Sequence, residues 1–348
     1  MKKFIVLFSC LFVVSACSGG GSDPEVAEAA TTSQATTSTV ASTTSVIETT
    51  TTIPLPLAPL TGLAFEGDEA ALSRPAVVVK VDNHPRARPQ TGLDRADMVI
   101  ELRAEGVTRF MAVYHSDLPE PVGPVRSART SDFDILTALN SPAFAYSGAN
   151  AIVDRGLGGL GIYARYEDRV DFYRDRNRNS PHNLYVNPQG LQDKLPSDAT
   201  PPAPWFTFGS PEEVAAQDRA ISGEVTVVFT GSPIVEYQWD RAVSGWIRDQ
   251  DGQSHSTISG DQLAPTNVVI MSARYGVSRA DAASPELISV GSGALTVLTD
   301  GRVIEGTWSR IDNTRAPAIA DLQGNEIVLT PGQTWVMYPD RGVIVPES

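Results

Sequence analysis

The chain has 348 residues, with 41 acidic against 27 basic side chains and a formal charge of −14 at pH 7. So acidic a protein is not drawn by charge to nucleic acid or to an anionic membrane surface, so no nucleic-acid partner is expected and any membrane attachment must come from a lipid. Both cysteines, Cys10 and Cys17, lie near the start, which leaves the rest without a disulfide or thiolate metal site and excludes zinc-finger and CxxC chemistry.

In chain order, Lys2 and Lys3 form a basic start and Phe4 to Val14 an apolar run too short to span a bilayer. Val14-Ser15-Ala16-Cys17 follows. Residues 1–16 read as a lipoprotein signal peptide. Cleavage before Cys17 and acylation of its thiol would anchor the chain at the extracytoplasmic face of the cell membrane. The alternative is an ordinary secretory signal with a chance cysteine. Residues 17–56 are rich in Ser, Thr and Ala and close with Pro54 and Pro56. Such a composition cannot bury a core and reads as a tether. Its coil dimension is about 35 Å, or about 130 Å when drawn straight. Its threonines invite O-glycosylation. Past the leader only Lys80 and Lys194 are lysines, which points to a GC-rich, actinobacterial genome.

The remaining length suits two domains, an α/β domain over 57–205 and a β-rich domain over 206–348, with a boundary in the Pro-rich stretch from Pro196 to Pro204. In the first, Ala76 to Val81 is a near-continuous apolar run that predicts a strand buried on both faces, and Ala96 to Leu102 and Arg109 to His115 predict two more. A Pro/Gly loop leads to a helix over Ser131 to Asn140, capped by Thr130 or Ser131. Phe144 to Gly148 predicts a short strand and Ala149 to Leu157 a second helix. The fold class is therefore an α/β N-terminal domain, a mixed sheet with helices, followed by a mostly β domain. In that second domain strands are predicted at 224–230, 234–239, 245–248, 267–273, 293–298 and 302–308. Asp251-Gly252 and Asp300-Gly301 are hairpin signals, and six or more short strands predict an open barrel or curved sheet.

The runs VVVKVDNHPRARPQTGLDRADMVIE, GVTRFMAVYHSDLPEPVGPVRSARTSDFDI, SPHNLYVN, LTDGRVIEGTWSR and LTPGQTWVMYP resemble the YerB-like bacterial lipoproteins, a two-domain family of unknown function. The likeness extends from Leu60 to the end. It implies a two-domain layout and an envelope location, and it brings no activity that transfers residue by residue.

Three clusters of side chains carry chemistry. In Gly123-Pro124-Val125-Arg126-Ser127-Ala128-Arg129-Thr130, Arg126, Ser127 and Arg129 precede a helix N-terminus, where two guanidinium forks and free N–H groups would suit a phosphate or carboxylate. Alternatively, each arginine pairs internally with an acid such as Asp132 or Glu105. Asp82, Asn83 and His84 end one strand, and Asp97, Glu101 and Glu105 lie along and after the next. They offer oxygens for a cation or an acid–base pair, or turn chemistry alone. Ser180-Pro181-His182-Asn183 offers His182 as a general acid or ligand, or as a loop histidine bonded to backbone. Asn150 and Asp154, a helical turn apart, are further candidates. Trp239, Trp246, Trp308 and Trp335 form either a sugar platform or core. No hydrolase elbow, Walker loop or zincin motif occurs, so no cofactor, no metal and no catalytic set is assigned. Two functions follow. One is an envelope lipoprotein binding an anionic or polar ligand, a cell-wall polymer or an envelope protein through Arg126, Ser127, Arg129, Asp82, Asn83, Glu101, His182 and Asn183. The other is an extracytoplasmic hydrolase or transferase acting on a phosphate-bearing or sugar polymer, which requires Arg126, Asp82 and His182 to converge.

Overall fold

The computed structural model describes residues 54–160, 162–166, 170–217 and 223–346. The signal peptide, Cys17 and almost all of the tether expected over 17–56 lie outside the described residues. No helix among the described residues is long and apolar enough to cross a membrane.

The first segment runs β1 (Val77–Asp82), β2 (Met98–Arg103), β3 (Thr108–Tyr114), α1 (Asp132–Thr137), β4 (Ala143–Tyr146), α2 (Ala151–Gly159) and β5 (Tyr163–Tyr166). Every residue of β1 is buried, as its unbroken apolar run requires of a strand covered on both faces. It lies antiparallel to β3, with Asp82 opposite Arg109, and parallel to β4. β3 pairs antiparallel with β2, and β4 parallel with β5. The helices form the crossovers that parallel neighbours demand. Asn150 caps α2, accepting hydrogen bonds from the N–H groups of Ile152 and Val153. Ser131 precedes α1 without capping it, because its hydroxyl donates to the Pro285 carbonyl and accepts from the Leu287 N–H.

The sheet does not end with the first segment. Thr334–Met337 adds to β2 in parallel, Met98 aligned with Thr334, and Asn267–Met271 follows it, again in parallel. Gly291–Thr299, Arg302–Arg310 and Ala318–Asp321 continue antiparallel, making ten strands. Five others, from Glu224–Phe229 to Gly342–Ile344, form a separate sheet. The C-terminal region is thus mostly β, as its composition predicts, but its strands do not close into one barrel. Among the described residues they divide between the ten-stranded sheet, which they join because the edge of β2 captures Thr334–Met337, the five-stranded sheet, a separate hairpin of Arg274–Ser278 with Asp281–Ile288, and a short pair of Val328–Leu329 with Thr207–Phe208.

Strand alternation separates two cores. Val78, Met98, Ile100, Met111 and Phe144 pack against Ile135 and Leu136 of α1 and Val153 and Leu157 of α2. Val77, Val79, Val99, Phe110 and Ala112 pack against the five-stranded sheet through Val225, Val227, Tyr237 and Trp246. Trp246, Trp308 and Trp335 are core residues, and Trp239 packs over Gly301, so the four tryptophans form no exposed platform. At Asp251-Gly252 and Asp300-Gly301 both residues have positive φ (57° and 71°, 45° and 67°), the backbone of a tight hairpin turn.

Candidate functional site

Asp82 ends β1 on the helix-covered side of the large sheet, at the carboxyl ends of the parallel strands β1 and β4, where crevices in α/β sheets open. The loop before α1 threads between these two ends. Val125 bridges Val81, the Arg126 N–H donates to the Lys80 carbonyl at 2.7 Å, and the Ser147 N–H donates to the Arg126 carbonyl at 3.0 Å. The Val125 N–H donates to the Leu184 carbonyl, which pins the segment after His182 against the same loop. Residues from 82, 126 and 182 therefore meet at one place, although far apart in sequence.

The Asp82 side chain is only 1% exposed. Its Oδ2 accepts from His182 Nδ1 at 2.7 Å and lies 3.4 Å from Arg126 Nε. Its Oδ1 accepts from the His84 N–H at 3.0 Å. The His84 and His182 rings stack, centroids 4.6 Å apart and planes 18° from parallel. His84 Nδ1 accepts from the Arg86 N–H at 3.1 Å. Burial, then the adjoining His182, and the charges of Arg86 and Arg126 push the His84 imidazole below its ordinary range and outweigh Asp82. Arg126 keeps 27% of its side chain exposed, and its two terminal nitrogens have no partner among the described residues. The cluster can thus hold an anion in front of Arg126, beside an imidazole backed by a carboxylate.

Other predicted residues serve the frame. Arg129 grips Glu105 with two nitrogens and its N–H donates to Asp132 Oδ2. Asp132 also pairs with Lys80 at 2.6 Å, both buried, so the start of α1 is occupied by the chain's own carboxylate. Ser127 offers its carbonyl to Arg109 at 3.0 Å. Asn183 accepts from Arg174 at 2.8 Å and donates to the carbonyls of Asp175 and Arg178, shaping the loop that carries His182. Asn150 caps α2, and Asp154 accepts from the Tyr146 hydroxyl. The carboxylates weighed as cation ligands are dispersed, with Asp97 accepting from the N–H groups of His115 and Ser116.

Asn83 and Glu101 belong to a buried network behind the site. Glu101 accepts from Arg248 at 2.8 Å and from Thr108 at 2.6 Å. Asn83 donates to Thr108 and to Gln250. Arg248 also reaches Gln250, His255 and the Tyr237 hydroxyl. Gln90 Oε1 accepts from His255 Nε2 at 2.8 Å and its side-chain amide donates to the Asp82 carbonyl at 3.0 Å, which ties the network to the site. Burial, with the charge of Arg248, holds the His255 ring well below its ordinary range. Sequence reasoning missed Arg248, Gln250, His255, Thr108 and Gln90, because nothing local marks residues whose partners lie on other elements of the chain.

Two family models match the chain. One, described as "Protein of unknown function (DUF3048) N-terminal domain", covers residues 60–200, and its C-terminal counterpart covers 225–336. A Bacillus subtilis (strain 168) protein named "Putative lipoprotein YerB" is 32% identical over 301 residues, which span 81% of this chain and 86% of that protein. The crystal structure of the YerB protein from Bacillus subtilis superposes with a TM-score of 0.70 at 27% identity, covering 83% of this chain and all of that one.

Proposed function

The chain belongs to the DUF3048 family, whose function is unknown, and from that membership we propose that it is an envelope lipoprotein, anchored through Cys17, that binds an anionic ligand at Asp82, Arg126 and His182. The anchoring half is supported by the leader-like start of the sequence and by the description of the Bacillus subtilis relative as a lipoprotein. The binding half is carried by one observation. Arg126 spends only its Nε on Asp82, at 3.4 Å, and presents its remaining donors beside two stacked imidazoles. A guanidinium held this way binds a tetrahedral or planar anion through parallel N–H groups. The ligand is then a phosphate- or carboxylate-bearing component of the envelope, with a cell-wall polymer or an envelope protein as its carrier.

Thermal unfolding of the full chain in detergent, with and without inorganic phosphate, tests this. Ligand at a hundred times its Kd should stabilise the protein by about 2.7 kcal/mol. Arg126→Ala should remove that shift while keeping the unliganded midpoint. A variant that is markedly less stable and still responds to phosphate would make Arg126 structural.

The convergence of Asp82, Arg126 and His182 also favours a second reading, an extracytoplasmic hydrolase or transferase acting on a phosphate-bearing or sugar polymer. His182, oriented by Asp82 through Nδ1, would move a proton at Nε2 while Arg126 holds the anion. Turnover of a phosphate-ester substrate that is lost in His182→Ala, with anion binding retained, would decide for it.

A further inference from the structure

We propose that this site is built for a phosphate monoester and discriminates against sulfate and against phosphodiesters. The inference rests on the anion reading above and adds the chemistry of the ligand.

Hydrogen bonds at Nδ1 fix both imidazole tautomers. His182 Nδ1 faces Asp82 Oδ2 at 2.7 Å, and a carboxylate only accepts, so Nδ1 carries the hydrogen and, in the neutral ring, Nε2 presents a lone pair. His84 is the reverse case. Its Nδ1 accepts from the Arg86 N–H, so the neutral ring carries its hydrogen on Nε2. Arg126 is a donor only. The site therefore offers donors from Arg126 and His84 and one acceptor, His182 Nε2. The groups facing His182 are Asp82, His84 and Arg126, with Arg86 behind His84. His182 itself is only 7% exposed, so a ligand that leaves Nε2 without a hydrogen bond also removes the little water that could supply one.

A phosphate monoester supplies what such a lone pair needs. Its second ionisation lies near pH 6, so it can present an acidic O–H to that lone pair. One proton then sits between Nε2 and a phosphate oxygen, carried in on the monoanion or taken from solvent as the dianion binds. No bond to phosphorus forms or breaks. Sulfate matches the monoester dianion in shape and charge but is too weak a base to share the proton. A phosphodiester has the same deficiency and one charge fewer. Either would satisfy Arg126 and leave Nε2 facing an acceptor.

Isothermal titration of the full chain in detergent at pH 8, with methyl phosphate, dimethyl phosphate and sulfate, tests this directly. Methyl phosphate should bind about tenfold tighter than either of the others, or better, and its binding should take up a proton, seen as a heat that varies with the ionisation enthalpy of the buffer. In His182→Asn the amide N–H can still reach Asp82 while the Nε2 lone pair is gone, and the preference should fall below about twofold with sulfate binding retained. Equal binding of methyl phosphate and sulfate by the unaltered chain overturns the monoester assignment and leaves the anion site standing. So does a preference that survives in His182→Asn. Failure of all three anions to bind overturns both readings.

Discussion

Glu101 and Arg248 hold opposite charges 2.8 Å apart with no side-chain surface exposed on either. Replacing Glu101 with Gln leaves a buried guanidinium without its counter-charge, and a loss of about 3–5 kcal/mol is expected. Chemical denaturation would measure it, and phosphate affinity should not change, since Glu101 stands behind the site and not in it. Glu105 differs because it faces solvent in part. Burial alone would raise its carboxyl, but hydrogen bonds from Arg129 and Ser284 and the charges of Arg109 and Arg129 outweigh burial and hold it at about 2. Its folded value lies below its unfolded one, so its contribution is complete above about pH 4.5 and is lost as pH falls toward 2. Solvent screening limits that contribution to about 1–2 kcal/mol. Glu105→Gln should accordingly flatten the acid limb of a stability–pH curve between those values, and an unchanged limb would remove Glu105 from the account. The three residues that meet at the site were all legible as polar side chains in loops or at a strand end. Their meeting was not, because it depends on the loop after Pro124 threading between β1 and β4. Arg129 was legible as cationic, yet only the folded chain shows it committed to Glu105.

Elements with strong local instructions were the ones readable in advance. The apolar run of β1 and the Asp-Gly hairpin turns each carry their cause within a few residues. Thr334–Met337 does not. Its sequence describes an apolar stretch, but nothing in it says that its neighbours are β2 and Asn267–Met271. Close approach between strands gives another element-level expectation. A Cβ added at Gly306 would lie 2.0 Å from the Ala320 carbonyl oxygen, so Gly306 is what lets Ala318–Asp321 join the edge of the large sheet. Gly306→Ala should cost about 1–3 kcal/mol and speed hydrogen exchange along that edge strand more than in β1. Uniform exchange in the variant would show that the edge yields without detaching.

At the scale of the whole molecule, two family-matched segments contribute strands to one ten-stranded sheet, and the Glu101–Arg248 network crosses between them. The expectation is one cooperative calorimetric transition, because exposing the β2 edge opens the shared core of both segments at once. Two separated transitions would mean that the segments melt independently despite the shared sheet. The placement of Thr334–Met337 also orders events in time. A chain emerging from its N-terminus presents β2 long before the strand that must lie beside it. The central sheet cannot close until Thr334–Met337 has emerged, so β2 keeps an open edge while the intervening strands are being made.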